Sequence, residues 1–118
     1  MHEFSIVQSL MGLIEKYVEE YNAKRVSRIV VSVGVLSGVE PHLLKIAFDT
    51  FKENTVADSA ELILEIEKLT LRCLDCGMVS QKEELNVICP CCGSFNTIIE
   101  GGQDLLLKSL ELEYEDEA

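Results

Sequence analysis

Two C-x-x-C pairs, Cys73/Cys76 and Cys89/Cys92, sit in the stretch CLDCGMVSQKEELNVICPCCG. Between them lie residues 77–88, room enough for a hairpin that brings the second pair back to the first. Each pair suits a tight turn, and Gly77 and Gly93 follow where positive φ eases the chain past the second sulfur. This segment therefore must fold around whatever holds its four sulfurs. Four thiolates in tetrahedral geometry suit Zn(II), and four protein ligands close the site to substrate and water. Such a metal folds its own subdomain, because binding energy becomes folding energy. Two disulfides or an iron cluster are the alternatives. The fifth cysteine, Cys91, would leave a C-x-C pair in place of Cys92 and reads as a bystander thiol. A substitute ligand or a redox-sensitive thiol is the sharper alternative for it.

Both sides of this insertion are patterned for a packed α/β layer. Val7, Leu10, Met11, Ile14 and Val18 recur at helical spacing from Phe4 to about Tyr21, which predicts an amphipathic helix. VSRIVVSVGVL (26–36) is β-branched and roughly alternating, with Ile29, Val31, Val33 and Val35 on one strand face. Pro41 suits a first helical turn, and Leu44, Phe48 and Phe51 stripe a helix over about 41–54. ELILEIEKLTLR alternates through Leu62, Leu64 and Ile66, then shifts phase to Leu69 and Leu71, so a bulge or bend is expected near Lys68. Leu106, Leu110 and Leu112 mark a last strand. Strands flanking an insertion can pair antiparallel. The expectation is an α+β fold: a small α-β-α-β-β layer, two helices on a three-stranded sheet, with an inserted zinc-ribbon-like subdomain. The boundaries fall at 1–72 plus 102–118 for the α/β domain and 73–101 for the metal subdomain.

A net charge of -11 counts against nucleic acid, which needs clustered Lys and Arg, and against anionic lipid. The end, LELEYEDEA, reads as acidic and solvated. No apolar run approaches a membrane span, and the start has no signal-peptide pattern, so a cytoplasmic protein is expected. No Gly-rich phosphate loop and no nucleophile with an evident His partner is present, so no enzymatic activity is expected.

The opening MHE is unusual. A terminal amine, the following amide nitrogens and an imidazole form fused chelate rings. Ni(II) and Cu(II) favour such square-planar nitrogen sets, whereas zinc prefers a tetrahedron. Met1 would be retained ahead of a bulky His2. Its amine, with an ordinary pKa of ~7.7–8.0, makes metal compete with a proton. The candidate ligands are the Met1 amine, the His2 amide and imidazole, and the Glu3 amide, with the Glu3 carboxylate as a supporting oxygen. Taken alone, MHE is a weak signal, and His2 reads first as an exposed terminal residue. His42, the other histidine, reads as a solvated helix residue.

MHE at the start, LSGVEP after the first strand and the doubled C-x-x-C together resemble the HypA/HybF family over nearly the full length. The resemblance implies a non-enzymatic nickel metallochaperone of hydrogenase maturation. It implies Ni(II) as transient cargo at Met1, His2 and Glu3, and structural Zn(II) on Cys73, Cys76, Cys89 and Cys92. Glu40, in LSGVEP, matches an acidic residue linked to the nickel site. The implied partners are a HypB-type nickel GTPase, the [NiFe]-hydrogenase large subunit and, in some organisms, the urease maturation proteins. The reading leaves room for a homodimer. A zinc-ribbon adaptor in transcription or RNA handling is the alternative, disfavoured by acidity. A zinc hydrolase is disfavoured by the closed thiolate set.

Overall fold

The structure, a computed structural model, describes the backbone of residues 2–114 and the side chains from Glu3 onward. Met1 and the acidic residues 115–118 lie outside the described residues. The element order is α1 (His2–Glu20), β1 (Arg25–Gly34), α2 (Pro41–Phe51), β2 (Glu61–Glu67), β3 (Leu69–Cys73), β4 (Val79–Lys82), β5 (Thr97–Gly101) and β6 (Leu105–Glu113).

Helix α1 forms because its apolar residues fall every three or four positions with no Pro to interrupt them. All five residues of the expected stripe, Val7, Leu10, Met11, Ile14 and Val18, are buried. The helix ends at Glu20, and Asn22 just beyond it takes a left-handed φ of 54°. The Ala23 N–H then reaches back to Val18 O (2.9 Å) and the Asn22 N–H to Glu19 O (3.2 Å). These bonds satisfy carbonyls that the helix end would otherwise leave open. Helix α2 starts at Pro41, whose missing N–H is no loss there, and buries Leu44, Ala47 and Phe48. Phe51, expected on the same stripe, is half-buried and meets Phe4 edge-to-face at 5.1 Å, joining α2 to α1. Each fully buried Ile, Leu or Phe contributes about 1.5–3 kcal/mol.

The first sheet has the order β2-β1-β6. The strands beside the cysteine insertion, β2 and β6, therefore do not pair as expected; β1 lies between them. β1 is the strand buried without a break from Val31 through Ser32 and Val33 to Gly34, whereas β2 and β6 carry charges along their length and take the edges. Arg28 on β1 reaches both neighbours, Glu61 at 3.3 Å and Glu111 at 3.4 Å. The Val26 N–H donates to Val56 O and the Val35 N–H to Glu67 O, so β1 and β2 run in the same direction, joined through α2. The Lys24 N–H donates to Glu113 O and the Gly34 N–H to Asp104 O, so β6 runs the other way.

The expected bend at Lys68 is a break between strands. β3 leaves for a second sheet of order β4-β3-β5, antiparallel on both sides. The break also changes which side chains turn inward. Ile66 is exposed, while Glu67 Oε1 accepts the Gly102 N–H at 2.7 Å and Glu67 Oε2 the Ser32 hydroxyl at 3.4 Å. In β6, Leu106 is exposed; the half-buried leucines are Leu105 and Leu107, then Leu110 and Leu112, with the phase changing at Lys108 and Ser109.

The chain forms two compact units. One comprises residues up to 31, 40–64 and from 107 on; the other comprises 32–39 and 65–106. The first has its core in α1, α2 and the start of β1 (Val26, Ile29, Val31). The second has its core in Val33, Leu69, Leu71, Cys73 and Cys89. There Gly34 faces Gly102 so closely that a Cβ on Gly34 would lie 2.3 Å from the Gly102 carbonyl oxygen.

Candidate metal centre

The second unit brings Cys73, Cys76, Cys89 and Cys92 together, with all four Sγ atoms within 4.8 Å of one another. The Sγ–Sγ distances are 3.6 Å for Cys73–Cys92 and 3.6 Å for Cys76–Cys89. A tetrahedron with metal–sulfur bonds of about 2.3 Å has sulfurs roughly 3.8 Å apart, so the four thiols fit one metal ion. They are free cysteines, not disulfides. Cys91 is exposed and does not join the cluster.

The two C-x-x-C segments make matching knuckles. The Cys76 N–H points at Cys73 Sγ (3.4 Å) and the Cys92 N–H at Cys89 Sγ (3.5 Å). The Gly77 N–H closes on Cys73 O (3.0 Å) and the Gly93 N–H on Cys89 O (2.9 Å). Gly77 and Gly93 take φ of 78° and 76°, the left-handed turn that the sequence spacing predicted.

These amides tune the thiols. The Cys92 N–H, opposed by desolvation and helped by the Cys91 N–H and the Cys76 thiol, lowers the Cys89 pKa to about 6. Cys73 is lowered by the Cys76 N–H in the same way. At Cys76 the Met78 N–H pulls the pKa down, but desolvation and the neighbouring sulfurs outweigh it and push the thiol up to about 12. Cys92 is also raised, with the Cys73 thiol opposing the pull of the Ser94 N–H. A cation among these sulfurs would displace the remaining protons.

Residues that the spacing alone does not reveal tie the knuckles together. The Asp75 carboxylate, inside the first pair, accepts the Ser94 hydroxyl and the Asn96 amide (3.1 Å), both just beyond the second pair. These two bonds hold the Asp75 carboxyl below its ordinary range. Asp and Ser at turn positions signal such bonds in general terms, but the pairing across the cluster is a tertiary fact.

The other candidate residues lie in the first unit. Of the expected nickel set, Met1 and the His2 side chain fall outside the described residues. Glu3 and Glu40, far apart in sequence, do meet. Glu3 is buried, and its Oε2 lies 3.5 Å from the Glu40 N–H. Glu40 is the N-cap of α2, its Oε1 accepting the His42 N–H at 2.9 Å. His42 is exposed. The Glu3 carboxylate thus lies at the N-terminus of α2, where the helix dipole favours negative charge.

Comparison with known proteins agrees with this arrangement. Residues 1–112 match the family described as hydrogenase/urease nickel incorporation, metallochaperone, HypA. The hydrogenase maturation factor HypA of Aquifex aeolicus is 70% identical over 113 residues, covering 96% of this chain and 98% of that protein. HypA of Shewanella halifaxensis is 46% identical over 113 residues, covering 96% and 98%. The solution structure of the Ni metallochaperone HypA from Helicobacter pylori superposes with a TM-score of 0.69 at 36% identity, covering 96% of this chain and 98% of that one. A second HypA solution structure gives a TM-score of 0.73 at 38% identity, covering 98% of each chain. The chain, with its four-cysteine metal site, belongs to the HypA family of nickel metallochaperones for hydrogenase maturation.

Proposed function

We propose that this protein binds Ni(II) as cargo through Met1, His2 and Glu3, and passes it to the [NiFe]-hydrogenase large subunit. The observation that carries this reading is the placement of Glu3. Its carboxylate is held against the Glu40 N–H, so the third residue of MHE is anchored at the start of α2. Glu40 supports the nickel site through that contact. α1 begins at His2, so the amides of His2 and Glu3 belong to a first turn and lack intrahelical partners. A planar nitrogen set needs these atoms coplanar, so nickel loading unwinds this turn.

Cys73, Cys76, Cys89 and Cys92 would hold Zn(II), which supplies folding energy to the segment around it. The division of labour is 73–101 for zinc and 1–72 with 102–118 for nickel. The chain performs no catalysis; it works in the cytoplasm with a HypB-type nickel GTPase and, where urease is made, with urease maturation proteins. A nucleic-acid adaptor fits less well. Lys68 pairs with Glu83 (3.6 Å), Arg72 with Glu100, and Lys82 is buried, so these cations are engaged within the second unit.

Nickel titration of zinc-loaded protein, unaltered and with His2→Ala, tests the proposal. One Ni(II) per chain in the unaltered protein and its loss in H2A are expected. Equal binding by both would refute the MHE site.

A further inference from the structure

The two halves of the four-cysteine cluster are supported differently. Cys73 ends β3, which is laddered on both sides by β4 and β5. Cys89 and Cys92 lie in residues 83–96, which contain no strand or helix. A few backbone bonds, Cys89 N–H to Ser94 O, Gly93 N–H to Cys89 O and Leu74 N–H to Asn96 O, hold that segment together with side chains. The Thr97 hydroxyl donates to Val87 O at 2.6 Å, and Asp75 takes Ser94 and Asn96. Lys82, at the end of β4, is 8% exposed, an unusual position for an ammonium group. Its Nζ donates to Asn86 Oδ1 and to Ile88 O at 2.8 Å. Asn86 Oδ1 also accepts the Ile88 N–H at 3.1 Å. The Ile88 carbonyl belongs to the peptide bond that leads into Cys89.

We infer that Lys82 is a positioning residue for the metal centre: its ammonium fixes the approach to Cys89, and the Cys89–Cys92 half is the one that opens when metal leaves. The inference rests on the reading of the four cysteines as a zinc site. Hydrogen bonds from a charged donor outlast neutral ones, and buried acceptors left without a donor cost more than the bond was worth. A Met at this position keeps the length of the stem but takes the donor from Ile88 O and leaves Asn86 Oδ1 with the Ile88 N–H alone. An Arg restores the charge and the donors.

The test uses the full zinc-loaded chain, unaltered and as Lys82→Met, Lys82→Arg and Asn86→Leu. Zinc transfer to a chromogenic chelator gives the release rate. Pulses of iodoacetamide followed by peptide mapping give the order in which thiols are exposed, with Cys91 as the thiol outside the cluster. Lys82→Met is expected to release zinc about tenfold faster or more, Asn86→Leu less so, and Lys82→Arg close to the unaltered rate. Cys89 and Cys92 should label before Cys73 and Cys76, in the unaltered chain too. Release from Lys82→Met at the unaltered rate, or labelling of Cys73 and Cys76 first, would overturn the inference. If Lys82→Met does not fold, the labelling order in the unaltered chain decides. An unaltered chain that takes up no zinc would overturn the zinc reading itself.

Discussion

Glu40 has two separable tasks, and two substitutions separate them. Its carboxylate caps α2 through the His42 N–H at 2.9 Å, while its backbone N–H faces Glu3 Oε2. Glu40→Ala removes the cap and keeps the backbone. Loss of an N-cap costs about 1 kcal/mol, and loss of a charge at a helix N-terminus about 0.3–1 kcal/mol more. Glu40→Ser restores a good cap without the carboxylate, so only the smaller charge loss remains. In a chain of this size about 1 kcal/mol moves Tm by roughly 4 °C. Denaturant unfolding followed by far-UV circular dichroism should rank Glu40→Ala well below Glu40→Ser, with Glu40→Ser within about 1 kcal/mol of the unaltered chain. If the carboxylate also supports the nickel site, both substitutions should weaken Ni(II) binding alike, by about tenfold or more. Equal stability loss in the two would refute the capping account. Unchanged nickel affinity in both would remove Glu40 from the site.

Cys91→Ser should leave one zinc per chain, and Cys92→Ser should weaken it severely; elemental analysis after dialysis reads both, and the reverse pattern would exchange the two cysteines. Zinc affinity should rise with pH, because bound metal displaces thiol protons. Cys89, lowered to about 6, brings almost none at pH 7, while Cys76, raised to about 12, brings a full one. Calorimetry in buffers of different ionisation enthalpy should therefore count fewer than four protons released at pH 7; in the metal-free chain, the Cys89 contribution to stability is full above pH 9 and lost as pH falls through 6. Gly34→Ala should destabilise the fold by about 1–3 kcal/mol, since its Cβ would press on the Gly102 carbonyl, and a neutral result in denaturant unfolding would refute that packing.

The helices and the cluster were legible because their signals are local. The α1 stripe and the C-x-x-C spacing with trailing Gly77 and Gly93 state their geometry within a few residues. The phase shift from Ile66 to Leu69 marked a discontinuity near Lys68, but periodicity carries no information on where the chain goes next, so a change of sheet read as a bend. Strand order was misjudged for a related reason. Adjacency to one insertion suggested pairing, whereas the apolar run of β1 makes it the strand to be covered on both edges. Glu3 against Glu40, Asp75 against Ser94 and Asn96, and Lys82 against Ile88 are contacts between side chains and turns that no repeat announces. Each lies at or beside a candidate metal ligand, and each needed the fold to be seen.

The proposed nickel site depends on a free terminal amine at MHE. The direct test is a Ni(II) titration of zinc-loaded protein that begins at Met1, beside the same protein with one glycine added before Met1, read by calorimetry and the d–d absorption band. About one planar, diamagnetic nickel per chain is expected in the first and none in the second. Equal binding by both would contradict it and place the nickel elsewhere, with His42 or the cysteines next to examine.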